Sequence, residues 1–437
     1  MVAKLDSPAA TSPRVGSILP ITGGLSWLGP EMRDAADLAA EEISATGVLA
    51  GSLELLHRDS QTDPTAGAVA AAELVSVEGV PVIIGAAASS VSEAVAEITV
   101  PNEVVQISPS STHPLFSAFE PEEPGWFWRT AASEALEGKA AALRALERGW
   151  TSVGILVIDD PFWLGAADTF SEHFTRDGGI VAVQVNFTEE QPDYTAELTI
   201  IASAAPDAVF LIAFPGDGLT IMQNWEANKT QPGWGWNWLF WNGLKSSDFM
   251  LDLQSAGVNA TGVEGTAPIL EGPNYAAFRT AFLARYGKEP EIFTANTYDA
   301  LYLTALAAVA GQGNDSASIR DSLIDVANPP GTVVGPGSQE FETAVGILEA
   351  GGEINYEGAS SLVNFNVVGD VGSSYEIWEV TEDYEIVQVD VIPEEVMWPG
   401  LTIIGPWFGS QMDEFMPVLD AFEAETGILT EYIATSY

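Results

Sequence analysis

Cysteine is missing from all 437 residues, which removes disulfides, thiolate metal sites and cysteine nucleophiles together. Histidine is almost as scarce: His57, His113 and His173 lie far apart and match no metal spacing. Basic residues number 15 against 62 acidic ones, and lysine is limited to Lys4, Lys139, Lys229, Lys245 and Lys288. The formal net charge of −47 repels nucleic-acid phosphate and anionic lipid, so neither is an expected partner. The acids are scattered rather than clustered at metal-ligand spacing. They read as a solvated surface suited to a salty or extracytoplasmic medium. No apolar run approaches the ~20 residues of a membrane helix, so no insertion of this chain into a membrane is expected. Met1 to Pro13 has no apolar h-region. It reads as a disordered segment, and no secretory signal is visible in it. No G-x-G-x-x-G follows a strand and no Walker sequence occurs, so no cofactor is expected.

What is present is length and a rhythm. The chain is too long for one compact domain of ordinary size, so two lobes are the starting expectation. Val15 to Pro20 reads as a strand, Thr22 to Pro30 as a Gly-rich loop, and Glu31 to Ala45 as a helix with Met32, Ala35, Ala36, Ala39, Ala40 and Ile43 at helical spacing. Leu53 to His57, Val80 to Gly85 and Val104 to Ile107 read as further strands, separated by helices. The pattern restarts after Trp126 with strands at Ser152 to Ile158, Ile180 to Phe187, Ala208 to Ile212 and Trp238 to Trp241. Two successive sets of strand–helix units predict two α/β lobes with parallel sheets. Alternating strands at Val363 to Val367 and Tyr375 to Val380 close the main body. In such sheets ligands sit beyond the carboxyl ends of the strands. Here those loops are Thr22 to Gly29, Ala86 to Ser90, Ser108 to Thr112, Asp159 to Gly165, Phe214 to Gly218 and Asn242 to Lys245.

Across residues 14 to 392 the chain resembles the type I periplasmic solute-binding proteins of the branched-chain amino acid class. The resemblance is carried in order by LPITGGLSWLGPEMRDAADLAAEEI, RDSQTDP, IIGAAASS, ISPSSTHP, RTAASEALEG, IDDPFWLGAA, GVEGTAP, NTYDALYLTALA and INYEGASSLVNFNVVGDVGSSYEIWEV. It implies two Rossmann-like lobes joined by a three-strand hinge, the type I periplasmic binding protein fold. Lobe 1 would comprise residues 14–133 and 268–362, and lobe 2 residues 134–267 and 363–392. Carried over by position, it implies that Ser89 hydrogen-bonds a ligand carboxylate, with Ser110 and Thr112 contacting the ligand from the same lobe. Trp27 and Leu28 fall in the first loop, where the family often places an aromatic side chain. Trp163 or its neighbour Leu164, and Phe214, stand near aromatic contact positions of the second lobe. Asn242 stands where amino acid binders carry an acid for the ligand ammonium, and Glu134 is the acid that could substitute. Otherwise an amide, urea-like compound or aromatic acid would suit the site.

Two segments stand apart. Trp225 to Trp241 holds five tryptophans, which read either as packed lobe surface and buried strand or as an aromatic wall to the ligand, Trp241 above all. Residues 393–437 resemble the opening of a family 1 extracellular solute-binding protein, cut off after about one strand–helix unit. Ser89 and Ser110 lie in no G-x-S-x-G turn and no histidine is placed as a base, so no enzyme is expected. The resemblance implies a periplasmic or cell-surface amino acid transport receptor, handing a small solute to an ABC transporter permease. The alternative is the ligand-sensing module of a signalling system.

Overall fold

The computed structural model describes residues 13–120, 125–159, 161–270, 273–397, 401–405, 415–419 and 430–434. The chain forms two compact units, residues 1–135 with 269–372 and residues 136–268 with 373–437. It therefore passes from one unit to the other three times.

The first unit opens with β1 (Arg14–Leu19), α1 (Gly29–Thr46), β2 (Glu54–Asp59), α2 (Pro64–Glu73), β3 (Val82–Gly85), α3 (Ser89–Thr99), β4 (Val105–Ser108) and β5 (Phe127–Arg129). The strands make one parallel sheet in the order β2-β1-β3-β4-β5. β3 and β4 are buried along their whole length, as strands covered on both faces must be.

The helix α4 (Glu134–Glu147) carries the chain into the second unit. There follow β6 (Ser152–Ile158), α5 (Pro161–Arg176), β7 (Ile180–Phe187), α6 (Thr195–Ala204), β8 (Ala208–Ile212), α7 (Pro215–Asn228), β9 (Asn237–Phe240), α8 (Ser247–Ser255) and β10 (Glu264–Pro268). The chain then returns to the first unit as α9 (Pro273–Tyr286), α10 (Thr294–Ala310), α11 (Ser316–Ala327), β11 (Thr332–Val334), α12 (Ser338–Glu349) and β12 (Ile354–Tyr356). α10 is rich in alanine and buried all round from Thr294 to Val309. Its one buried acid, Asp299, is met by the backbone N–H groups of Ala359 and Ser360 and the hydroxyls of Ser360 and Tyr356. β13 (Tyr375–Val380) and β14 (Ile386–Ile392) complete the second unit's sheet, in the order β14-β13-β10-β9-β8-β6-β7.

The second sheet is parallel from β7 to β10, and two antiparallel strands extend it: β13 runs antiparallel to β10, and β14 forms a hairpin with β13. The structure corrects two expectations about elements. Val363 to Val367 is not a strand. The Asn328 side chain accepts from the Phe365 N–H and donates to the Phe365 carbonyl, so those groups are taken, and only a single bridge joins Phe365 to Val371. Residues 363–372 consequently belong to the first unit, not the second. Finally, α7 begins at Pro215, because proline is tolerated in a first helical turn, so the expected loop of Phe214 to Gly218 shrinks to Phe214.

The tryptophan-rich segment is core. Trp225, Trp234, Trp236 and Trp238 are buried together on one face of the second sheet, Trp234 stacking on Trp236 at 5.6 Å. Trp241 is buried on the opposite face, against Phe210. Alternate residues of a strand point to opposite faces, which divides the cluster this way and buries all five tryptophans within the second unit. In the 393–437 tail, β15 (Leu401–Gly405) pairs in parallel with β16 (Thr430–Ala434). Most of the tail, and the N-terminal segment before residue 13, lie outside the described residues.

Candidate ligand-binding site

Because β3, β4 and β5 are parallel neighbours, the segments leaving their carboxyl ends lie side by side, and Ser89, Ser110 with Thr112, and Glu134 follow one another along one edge of the first unit. Ser89 is the first residue of α3. No side-chain hydrogen bond caps that helix, Val91 and Ser92 N–H donate to the Ala88 carbonyl, and the positive end of the helix favours an anion. Ser89 is 6% exposed, and its Oγ is buried without a hydrogen-bond partner. A buried hydroxyl costs free energy unless it is paired, which marks Ser89 as a place for a polar group of a ligand.

The next loop is built from serines that satisfy one another. Ser108 Oγ donates to the Ala86 carbonyl at 2.7 Å and accepts from the Ser111 N–H at 2.9 Å. Ser111 Oγ donates to Ser92 Oγ at 2.7 Å. Ser110 Oγ donates to the Ala87 carbonyl at 3.1 Å, so it keeps only lone pairs for anything beyond.

Glu134 closes the row. Its N–H donates to the Thr112 carbonyl at 2.8 Å, and Thr112 Oγ1 donates to Glu134 Oε2 at 3.0 Å. Oε1 is buried with no partner. Burial pushes the carboxyl up to about 8, against the opposing pull of the Thr112 hydroxyl and the Arg129 charge. A buried carboxyl with one oriented oxygen and one open oxygen suits a cationic donor.

Trp27 and Leu28 part company. The Gly-rich loop is held against the β2 turn by Leu25 N–H to Thr62 Oγ1 at 3.0 Å and Thr22 Oγ1 to Asp59 at 2.7 Å. Gly23 has a φ of +89°, and a Cβ there would stand 2.0 Å from the Gln61 carbonyl oxygen, so the approach requires glycine. Trp27 is left 53% exposed. Leu28, expected beside it at the ligand, instead packs in the core with Leu19, Met32 and Ala87, because the start of α1 turns it inward.

The second unit shows its own cluster, at the carboxyl ends of the neighbouring strands β6, β8 and β9. Trp163 and Phe214 are half-buried and meet edge to face at 5.0 Å. Leu164, the other residue considered at that position, packs against the core under α5. Asn242 follows β9, and Gly243 beside it lies against the Ala213 carbonyl and the Phe214 ring.

Sequence reasoning misses two residues. Glu137, one turn along α4 from Glu134, is buried and bonded to Asn242 and Thr266. An acid in a first helical turn is ordinary for dipole reasons, which hides it. Arg129, fully buried, donates to the Ser111 and His113 carbonyls, to Ser117 Oγ at 2.9 Å and to Asp370 at 2.5 Å. A cation inside the aromatic run WFWRT, in a chain with so few, is the available signal.

Two of the histidines are tied into the fold. His57 bonds Ser17 and Asp37, and His113 Nδ1 accepts from the Leu115 N–H. Among the described residues, no three histidine or acidic side chains are grouped to hold a metal, and no helix is long and apolar enough to cross a membrane.

The profile of the periplasmic binding protein family matches residues 12–339. Leu/Ile/Val-binding protein homolog 3 of Brucella melitensis is 26% identical over 342 residues, 76% of this chain and 86% of that one. The chemotactic signal transduction system substrate-binding protein BasB of Halobacterium salinarum is 24% identical, over 84% of this chain and 87% of that one. The leucine binding protein LivK of Thermotoga maritima shares the fold with a TM-score of 0.70 at 24% identity, covering 88% of this chain and 99% of that one.

Proposed function

The chain belongs to the periplasmic binding protein family, and from that premise we propose that it is an extracytoplasmic receptor capturing a free aliphatic amino acid for an ABC transporter permease. The family places such proteins outside the cytoplasm, and its relatives bind solutes rather than transform them. One observation carries the choice of ligand. Along one edge of the first unit stand two buried, unpartnered oxygens of opposite use, Ser89 Oγ beside the open N-terminus of α3 and Glu134 Oε1. The first suits a carboxylate and the second an ammonium, so the row reads the two ends of an amino acid zwitterion. Glu134, the buried carboxyl of that row, takes the ammonium.

A melting-temperature screen tests this. Leucine, isoleucine or valine at 100 times its dissociation constant should stabilise the protein by about 2.7 kcal/mol, a shift of a few degrees. Shifts with amides or aromatic acids alone would refute the amino acid reading. Ser89→Ala should weaken binding about tenfold, the effect of one hydrogen bond to a charged group. It should leave the melting temperature of the empty protein unchanged, because the hydroxyl has no partner there to lose.

The similarity to a chemotactic substrate-binding protein supports a second reading, in which the liganded form addresses a signalling receptor. Reconstitution with a cognate permease separates the two: ligand-dependent ATP hydrolysis favours transport.

A further inference from the structure

We infer that Glu137 sets the ligand preference of the second unit by locking the Asn242 amide with its carbonyl oxygen outward. The unit then offers a neutral acceptor and selects a ligand bearing an N–H donor. This rests on the solute-binding reading and deepens it.

Glu137 is 1% exposed, and both of its carboxylate oxygens are engaged. Oε1 accepts from the Asn242 backbone N–H at 2.9 Å and from Thr266 Oγ1 at 3.1 Å. Oε2 accepts from Asn242 Nδ2. So occupied, Glu137 is in no position to reach a ligand itself. Its effect is on the orientation of Asn242. A carboxylate only accepts, so the amide must turn its NH2 group toward Glu137. The other end, Oδ1, is left on a half-buried side chain at the carboxyl edge of the sheet, next to Gly243, which lies against the Phe214 ring. Gly243 holds that neighbourhood tight: a Cβ there would lie 3.2 Å from the Ala213 carbonyl oxygen and 3.5 Å from the Phe214 ring. What Asn242 presents is an uncharged, oriented acceptor.

A glutamine at 137 would reverse this. Its single oxygen can serve the Asn242 N–H and Thr266, but its NH2 would then face the NH2 of Asn242. The Asn242 amide must flip and present a donor. Glu137 is thus a positioning residue, acting through Asn242.

The test uses the whole protein and two probes, L-leucine and 4-methylpentanoate, which differ in the ammonium alone. By calorimetry the unaltered protein should prefer leucine, and Glu137→Gln should shrink that preference about tenfold or more. In an Asn242→Ala background, Glu137→Gln should change the preference no further, because the residue through which it acts is gone. An undiminished preference in the single variant, or an equal loss in both backgrounds, would overturn the inference. A second measurement needs neither ligand nor a folded Glu137 variant. With 15N-asparagine labelling, the Asn242 side-chain amide is assigned by its loss in Asn242→Ala. One of its protons should be shifted downfield and exchange slowly. Both exchanging as fast as exposed asparagine amides would sink the inference. Failure of both probes to bind, with that proton protected, would instead count against the amino acid reading and leave the Glu137 lock standing.

Discussion

Glu134→Gln is expected to weaken leucine binding by about 10- to 100-fold, the value of a charge-assisted hydrogen bond to a buried carboxylate. The same variant should change the pH dependence of both binding and stability. In the empty protein burial holds the Glu134 carboxyl up to about 8, against an ordinary value of 4.5. Between those two values the folded state keeps a proton that the unfolded chain has released. Stability contributed by this group is therefore lost as pH rises from 4.5 toward 8, at about 1.4 kcal/mol per pH unit. Glutamine carries no such proton, so the empty variant should be the more stable protein at pH 8 and should lose that advantage at pH 4.5. Binding an ammonium requires the carboxylate, so below pH 8 the ligand must displace the proton. Leucine affinity in the unaltered protein should then rise with pH, by up to about tenfold per unit, and flatten above about 8. Titration calorimetry in two buffers of different ionisation enthalpy would register the proton released. A pH-independent affinity in the unaltered protein would remove Glu134 from the ammonium-binding role.

Arg129→Met should be the most destructive single change, lowering stability by about 3–5 kcal/mol. The guanidinium lies fully buried, paired with Asp370, which is itself almost inaccessible. Removing it strands a buried carboxylate and frees the Ser111 and His113 carbonyls, and with them the loop that carries Ser110 and Thr112. For a unit of this size the melting temperature should fall by roughly 10 °C. The double variant Arg129→Met with Asp370→Leu should cost less, because it leaves no charge alone in the interior. A double variant as damaged as Arg129→Met would show that the loss lies in the released carbonyls rather than in the charge.

Both predictions turn on residues whose importance depends on burial, and burial is unevenly legible in the sequence. Glu134 and Asn242 are marked by their positions in a family pattern. Arg129 and Glu137 are not, although they flank Glu134 in the same stretch of chain. A helix-starting EALEG looks alike whether its second glutamate faces water or a buried asparagine. Leu28 escapes for a related reason. The loop TGGLSWLGP announces a turn, but which of Trp27 and Leu28 faces inward is set by the packing of α1 on Leu19 and Ala87.

The chain by itself determined the alternation of strands and helices, the two-unit plan and the positions of Ser89 and Thr112 in loops that follow strands. These depend on local periodicity and turn chemistry, which neighbouring residues carry. Only the tertiary structure decided that the second sheet takes two antiparallel strands, that residues 363–372 join the first unit, and that the tryptophans of 225–241 are core. It alone left Ser89 and Glu134 each with an unpartnered oxygen while surrounding Glu137 with donors. Whether a polar atom is satisfied depends on groups brought from distant parts of the chain, as Asn242 and Thr266 are brought to Glu137, and no local pattern records those meetings.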